Sequence, residues 1–132
     1  MPQYMLDTNI CTYVTTKRPP KLKEKFDAIA DQMCISSITL AQLHFGAENS
    51  AKPLQNLQAL AQFAGRLEIL SFGPKAAVHY GQIRAALVRA GKPIGPHDLL
   101  ISAHARSEGL IMVTNNLREF KRVPGLSVEN WV

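Results

Sequence analysis

Asp7, Asp98 and Glu119 lie far apart in the chain, yet each stands where a strand-like or loop segment gives way to a helix-like one. Asp7 closes the apolar run Tyr4-Met5-Leu6. Asp98 follows the loop from Gly91 to His97 and opens Leu99-Leu100-Ile101. Glu119 comes after Leu110-Ile111-Met112-Val113 and the polar Thr114-Asn115-Asn116. Carboxylates so placed can meet at one edge of a parallel sheet and hold Mg²⁺, with Mn²⁺ as a substitute. Such hard cations take oxygen ligands and keep several waters. An ion held there lowers the pKa of bound water and offsets charge on a phosphoryl transition state, which is the chemistry of phosphodiester hydrolysis. Taken singly, each acid has a plain structural role. Asp7 can cap a helix beside Asn9, Asp98 suits a helix first turn, and Glu119 can be a solvated surface acid. Their joint placement favours function.

The elements needed to position these acids are legible in the apolar pattern. Tyr4-Met5-Leu6, Cys34 to Ile38, Leu67 to Leu70 and Leu110 to Thr114 read as short strands, with Leu126 to Val128 as a fifth at a sheet edge. Between them the spacing predicts helices. The first is short, capped by Asp7, Thr8 or Asn9, and reaches Tyr13. The next starts at Pro20 and runs to about Ala30, with Leu22, Phe26, Ile29 and Ala30 inward. A third is capped by Thr39 and turns Leu40, Leu43 and Ala47 inward. The stretch from Lys52 to Ala64 repeats Leu54, Leu57, Leu60, Ala61 and Ala64, and Gly65 ends it. A long helix runs from Pro74 to Ala90, with Ala77, Val78, Ile83, Ala86, Leu87 and Ala90 inward, and Gly91 stops it. A last long one runs from Pro96 to near Gly109. Alternating strands and helices imply an α/β fold with a mainly parallel sheet of four to five strands between two helical layers. Functional crevices in such folds lie beyond the carboxyl ends of the strands.

Composition sets the outer bounds. The 132 residues fit one domain spanning 1–132, and 46% hydrophobic against 19% charged residues is ordinary for a globular protein. Fifteen basic and ten acidic residues give a net charge of +5 and a pI near 9.5. A basic surface around an acidic pocket suits a polyanion, although the charge alone need only keep a small protein soluble. Cys11 and Cys34 have no CxxC spacing, so a zinc site or disulfide framework is not expected and a reducing, cytoplasmic setting is. No signal peptide or membrane-spanning run is expected, since Asp7 interrupts the first apolar stretch.

Other chemistries find little support. His44, His79, His97 and His104 are dispersed, with no HExxH pattern, and each reads first as a structural histidine, an RNA contact being the second reading for His97 beside Asp98. Ser36 and Ser37 lack a His/Asp partner pattern, and Gly91 and Gly95 do not end in the Lys-Ser/Thr of a phosphate loop. Phe26, Phe45, Phe63 and Phe120 read as packing, and Trp131 as a lid on the core. Lys17, Arg18, Lys21, Lys23 and Lys25 form a basic stretch that reads equally as an RNA track or a solvated helix face. Arg118, Lys121 and Arg122 follow the fourth strand near the acids and are the preferred phosphate-binding group.

Four segments carry a family resemblance. They are Met5-Leu6-Asp7-Thr8-Asn9; Ser36 to Leu43 with Gly46; Gly91 to Asp98 with Ile101 and Ala103 to Ala105; and Val113 to Phe120 with Val123 to Leu126 and Glu129-Asn130-Trp131. In this order and spacing they resemble the VapC toxins of VapBC toxin–antitoxin modules, whose fold is the PIN domain, a three-layer α/β/α arrangement. The resemblance implies a Mg²⁺-dependent ribonuclease that blocks translation by cutting a structured RNA. The branch with segments like GKPIGPHD and TNNLREF includes enzymes that cut initiator tRNA in its anticodon stem-loop. It also implies a small VapB-type antitoxin that wraps the toxin and fills the cleft, a homodimer, and operator DNA bound only through the antitoxin.

By the same resemblance Asp7 and Asp98 are the principal metal ligands, and Glu119 supplies a further acid. Thr114 and Asn116 are the polar residues at the fourth strand's end, and Thr8 and Asn9 support Asp7 by hydrogen bonding. Gln42 departs from the pattern, because the family carries Glu there. An amide keeps the shape and one oxygen but loses the charge, so metal binding is expected to weaken. Two readings therefore stand beside each other: an active ribonuclease whose remaining acids suffice, and a weakened toxin that serves mainly as antitoxin partner in a DNA-bound repressor complex. A third, in which the acids are only caps, predicts no metal binding at all.

Overall fold

The computed structural model describes residues 2–17 and 19–132. Arg18 of the basic stretch lies outside them. Five short strands alternate with helices in the order β1 (Tyr4–Leu6), α1 (Thr8–Lys17), α2 (Pro20–Ile29), β2 (Met33–Ser36), α3 (Ser37–Glu48), α4 (Pro53–Ala64), β3 (Glu68–Leu70), α5 (Pro74–Ala90), α6 (Pro96–Ser107), β4 (Ile111–Val113), α7 (Leu117–Phe120) and β5 (Ser127–Glu129). The strands form one sheet in the order β3-β2-β1-β4-β5, and each neighbouring pair is parallel. All strand carboxyl ends therefore open on one edge. The first strand in the chain is the middle strand of the sheet, pairing Tyr4–Leu6 with Ile111–Val113 on one side and Tyr4–Met5 with Met33–Cys34 on the other.

Side chains alternate across the sheet, and the alternation sorts the core into layers. Leu6, Met33, Ile35 and Val113 face one way and pack with Ile10, Cys11, Phe26 and Phe63 from α1, α2 and α4. Met5, Cys34 and Met112 face the other way and pack with Ile101 and Ala105 of α6 and Phe120 of α7. Outside α6 lies α5, sealed through Ile83, Leu87, Leu99 and Ala103. This is the three-layer α/β/α arrangement of the sequence-based expectation. The inner strands β1, β2 and β4 are mostly apolar on both sides because both faces are covered, whereas the edge strands β3 and β5 are partly exposed. Both cysteines are buried and free. Among the described residues no helix is long and apolar enough to cross a membrane.

Several expectations are corrected. The first helix runs on to Lys17 rather than Tyr13. Ser36, not Thr39, caps α3, its hydroxyl accepting from the Ile38 amide at 3.1 Å; Thr39 lies a turn further on and is fully buried. On α5 the inward residues are Ala76, Ile83 and Leu87, while Ala77, Val78 and Ala90 are exposed. Leu54 and Phe45 also face outward, at 80% and 69% exposure. Trp131 does cover the core, its ring 5.0 Å from that of Tyr4 in an edge contact.

Two details tie the helices that approach the sheet's open edge. His104 of α6 sets Nδ1 2.8 Å from the Ser36 hydroxyl, so the residue that caps α3 is also bound to α6. Burial pushes the His104 imidazole below its ordinary pKa, favouring the neutral ring. At the far end of α5, Gly91 adopts φ 66°, and Lys92 returns its amide to the Leu87 carbonyl at 3.0 Å. A left-handed residue with this bond closes the helix and turns the chain toward α6. Replacing Gly91 by alanine should cost about 1 kcal/mol, read as a lower urea midpoint with an unchanged slope. Ile35→Ala, in the central layer, should cost about 2–5 kcal/mol in the same experiment.

Candidate functional site

The acidic residues gather at the carboxyl edge of the central strands. Asp7 follows β1 directly and is 1% exposed. One carboxylate oxygen accepts from the Ile10 amide at 2.7 Å, which caps α1, and the other accepts from the Thr114 hydroxyl at 2.6 Å. Thr114 follows β4, the neighbour of β1, so two adjacent strand ends are joined through this carboxylate. Burial raises the Asp7 pKa, and the bonds from Thr114 and Ile10 pull against that rise. The residues that support Asp7 are therefore Thr114 and a backbone amide. Thr8 instead donates to Gln42 Oε1 at 2.5 Å, and Asn9 is exposed. The expected support from Thr8 and Asn9 is corrected accordingly.

Glu119 lies in the single turn α7 and is held at both oxygens. Oε1 accepts from the Gly95 amide at 2.6 Å, and Oε2 accepts from Asn116 Nδ2 at 2.9 Å. The Asn116 amide in turn donates to the Thr114 hydroxyl at 2.8 Å. A continuous chain of hydrogen bonds thus runs from Asp7 through Thr114 and Asn116 to Glu119, and on to the turn that precedes α6. Asp98 stands in the first turn of α6, beside that turn. Burial, then the charges of Glu119 and Asp7, then hydrogen-bonding approach of Glu119, push its carboxyl up to about 6. Gly95 adjoins both acids: a Cβ there would lie in ordinary contact, 3.5 Å from Glu119 Oε1 and 3.8 Å from Asp98 Oδ2.

The donor set fits a hard divalent cation in its chemistry. The donors are oxygens, and the repulsion from Glu119 and Asp7, which adds to burial in raising Asp98, is what a dication would relieve. Among the described residues, however, no three His, Cys, Asp or Glu side chains already enclose an ion-sized space. The acids are neighbours in charge rather than a closed cage.

Gln42 reaches the same edge from α3. Its bond to Thr8 joins α1 to α3 across 34 residues of sequence, and nothing in the local pattern of either segment announces the pair. The Gly95 amide is the other partner that residue types alone do not reveal. Of the basic candidates, Arg118 and Lys121 are exposed. Arg122 donates to the Pro93 carbonyl at 3.0 Å, so it also braces the turn carrying Gly95.

The PIN domain family matches residues 4–126. The tRNA(fMet)-specific endonuclease VapC of Salmonella typhimurium is 50% identical over 131 residues, covering 99% of both chains. Ribonuclease VapC2 of Haemophilus influenzae is 53% identical over 132 residues, covering 100% of both. In three dimensions the chain superposes on DNA-bound VapBC from Salmonella typhimurium with a TM-score of 0.98, at 49% identity and full coverage of both chains. It also superposes on VapBC2 from Rickettsia felis bound to a promoter DNA fragment, with a TM-score of 0.94 at 44% identity over 98% of each chain. Agreement of this extent runs through all five strands and through every segment that brings an acid to the open edge. The chain belongs to the PIN-domain VapC toxins of VapBC toxin–antitoxin systems.

Proposed function

We propose that this chain is a Mg²⁺-dependent endoribonuclease toxin that cuts tRNA, with the initiator tRNA anticodon stem-loop as its target. The observation that carries this reading is the gathering of Asp7, Asp98 and Glu119 at one sheet edge, where burial first, and then the charges of Glu119 and Asp7, push Asp98 up to about 6. The tRNA target follows the Salmonella relative, a tRNA(fMet)-specific endonuclease.

Asp7 and Asp98 would hold the ion. Glu119, fixed by Gly95 and Asn116, would complete the set through water. When bound, Mg²⁺ supplies a Lewis acid for the phosphate and a water of lowered pKa. The chain's own residues do the positioning. Thr114 keeps Asp7 oriented, the Gly95 amide holds Glu119, and Arg118, Lys121 and Arg122 draw the RNA backbone toward the acids. Gln42, anchored by Thr8, keeps one oxygen at the site and contributes no negative charge. In-line attack by water leaves 5′-phosphate and 3′-hydroxyl ends; 2′,3′-cyclic phosphate products would overturn this mechanism.

A VapB-type antitoxin would neutralise the toxin, and operator DNA would be bound through that antitoxin, as the DNA-bound VapBC relatives suggest. Two cavities of about 270 and 490 Å³ share Thr15, Ala59 and Phe63 and make one groove between α1 and α4. The groove begins at Thr8 and Gln42, so a segment lying in it would reach the acids. The outward Phe45 and Leu54 offer apolar surface for a homodimer.

Cleavage of the anticodon stem-loop should require Mg²⁺, stop with EDTA and fall at least a hundredfold in Asp7→Ala. Gln42→Glu should lower the Mg²⁺ concentration for half-maximal activity; equal Mg²⁺ dependence of both forms would show that the amide costs nothing. An inactive parent chain with an active Gln42→Glu form would favour the antitoxin-partner role instead.

Metal-free stability gives a second check. The folded Asp98 carboxyl titrates near 6 against 3.8 for its ordinary value, so the folded state binds the proton more tightly. Its contribution is fully present below about pH 4 and is lost as pH rises through 6. Asp98→Asn should therefore melt higher than the parent at pH 7.5, by about 3 °C if solvent screening reduces the effect to about 1 kcal/mol. The gain should vanish near pH 4. His104 shifts with the opposite sign, but it is common to both proteins and cancels. Added Mg²⁺ should raise the melting temperature of the parent and not of the variant.

A further inference from the structure

The outer helix α5 and the turn before α6 enclose a cavity of about 310 Å³ that the acids do not line. That volume is at the lower end for small-molecule clefts, which begin at about 300 Å³. Val88, Ile94, Pro96 and Leu99 form its apolar wall, and Tyr80 and Arg84 stand with them. Tyr80, Arg84 and Val88 fall on one face of α5, spaced by four residues. The Arg84 guanidinium lies 5.9 Å from the Tyr80 ring centre, and its NH1 donates to the phenol oxygen at 3.0 Å. Arg84 is exposed and has no carboxylate partner among the described residues. This cavity and the acidic site share one turn. Ile94 and Pro96 flank Gly95, whose amide is bound by Glu119, and Leu99 follows Asp98.

Among the residues lining the cavity the one charged side chain is Arg84; Asp98 and Glu119, which adjoin the same turn, are not part of the lining. From Ile69 to His97 the chain carries Lys75, Arg84, Arg89 and Lys92 and no Asp or Glu. A second copy of this chain docked here about a two-fold axis would bring these cations against their own counterparts. A polyanion meets no such penalty. Structured RNA presents unstacked bases in its loops, and proteins take them on aromatic rings and guanidinium planes while cations hold the phosphates.

We propose that this cavity is a nucleotide subsite that takes one unpaired nucleotide of the RNA, outside the bond being cut. Its base lies against Tyr80, Ile94 and Pro96, and its phosphate on Arg84. The inference rests on the ribonuclease reading and adds to it a contact to the RNA beyond the bond being cut. Because the subsite and Asp98 are joined by the 93–96 turn, a base seated there sets which phosphate reaches the acids.

Val88→Glu tests this. Val88 is 67% exposed, so the change places a negative charge at the cavity without disturbing the core. Val78→Glu is the control: it is on the same helix, 61% exposed, and outside the cavity. Steady-state cleavage would be measured on an anticodon stem-loop and on an oligonucleotide too short to reach both the acids and the cavity, with solution mass measured by light scattering. Val88→Glu should raise KM for the stem-loop about tenfold, leave kcat and the oligonucleotide reaction unchanged, and keep the mass of the parent. Tyr80→Ala should act in the same direction, since a stacked base is worth about five- to a hundredfold in affinity. Val78→Glu should change KM less than twofold. Equal behaviour of Val88→Glu and Val78→Glu would overturn the subsite while leaving the ribonuclease reading intact. A rise in KM accompanied by a fall in solution mass would overturn it in favour of contact between copies. If the parent and both variants cut no RNA, the ribonuclease reading fails and the subsite fails with it.

Discussion

A carboxylate taken out of water must be given hydrogen bonds or lose its charge, and Asp7 is almost completely out of water. The protein meets that demand with the helix it starts and the strand it borders. The Ile10 amide belongs to the first turn of α1, so capping and solvation are one act. The Thr114 hydroxyl belongs to the end of β4, so register between the two central strands fixes the second bond. The remaining polar contacts of the site are hung from this one. Thr114 orients Asn116, Asn116 holds Glu119, and Glu119 holds the turn that delivers Asp98.

Charge is distributed unevenly, and the site profits from it. The chain is basic, with a net charge of +5, yet no cation is paired with the gathered acids among the described residues. The ion pairs found there are Arg66 with Asp27 and Lys75 with Glu108, both on the surface. Surface pairs of this kind contribute little to stability. An ion pair at the site would have relieved the repulsion on Asp98 internally and left less for an incoming dication to relieve. The fold instead carries the strain of like charges on a rigid frame of backbone amides, one hydroxyl and one side-chain amide.

Much of this was legible in the sequence, and the misses share a cause. Short apolar runs bounded by polar residues gave all five strands within one or two residues; the three inner ones, covered on both faces, need no alternation to be seen. Proline and glycine at its ends gave α5 its full span. What failed was the direction of helix faces. On α5 and α4 apolar residues occur on more than one side, so periodicity admits several faces, and the wrong one took Val78 and Leu54 inward. Phe45 failed for a related reason: its size argued for burial, and only tertiary packing shows that α3 turns it out. At the site the acids were visible as residue types at element boundaries. The Thr8–Gln42 bond and the Gly95 amide were not, because they depend on how distant segments approach.

The bond between Asp7 and Thr114 spans 107 positions of the chain. The middle strand of the sheet is made first, and the partner that completes its acidic end is made near the last. A ribosome synthesising this protein therefore exposes Asp7 long before Thr114, Asn116 and Glu119 have left the exit tunnel. For most of its synthesis the chain holds no assembled acidic cluster beside the RNA of the machine making it. With Asp7 after the first strand and Thr114 after the fourth, the cluster can assemble only when four of the five strands have been made.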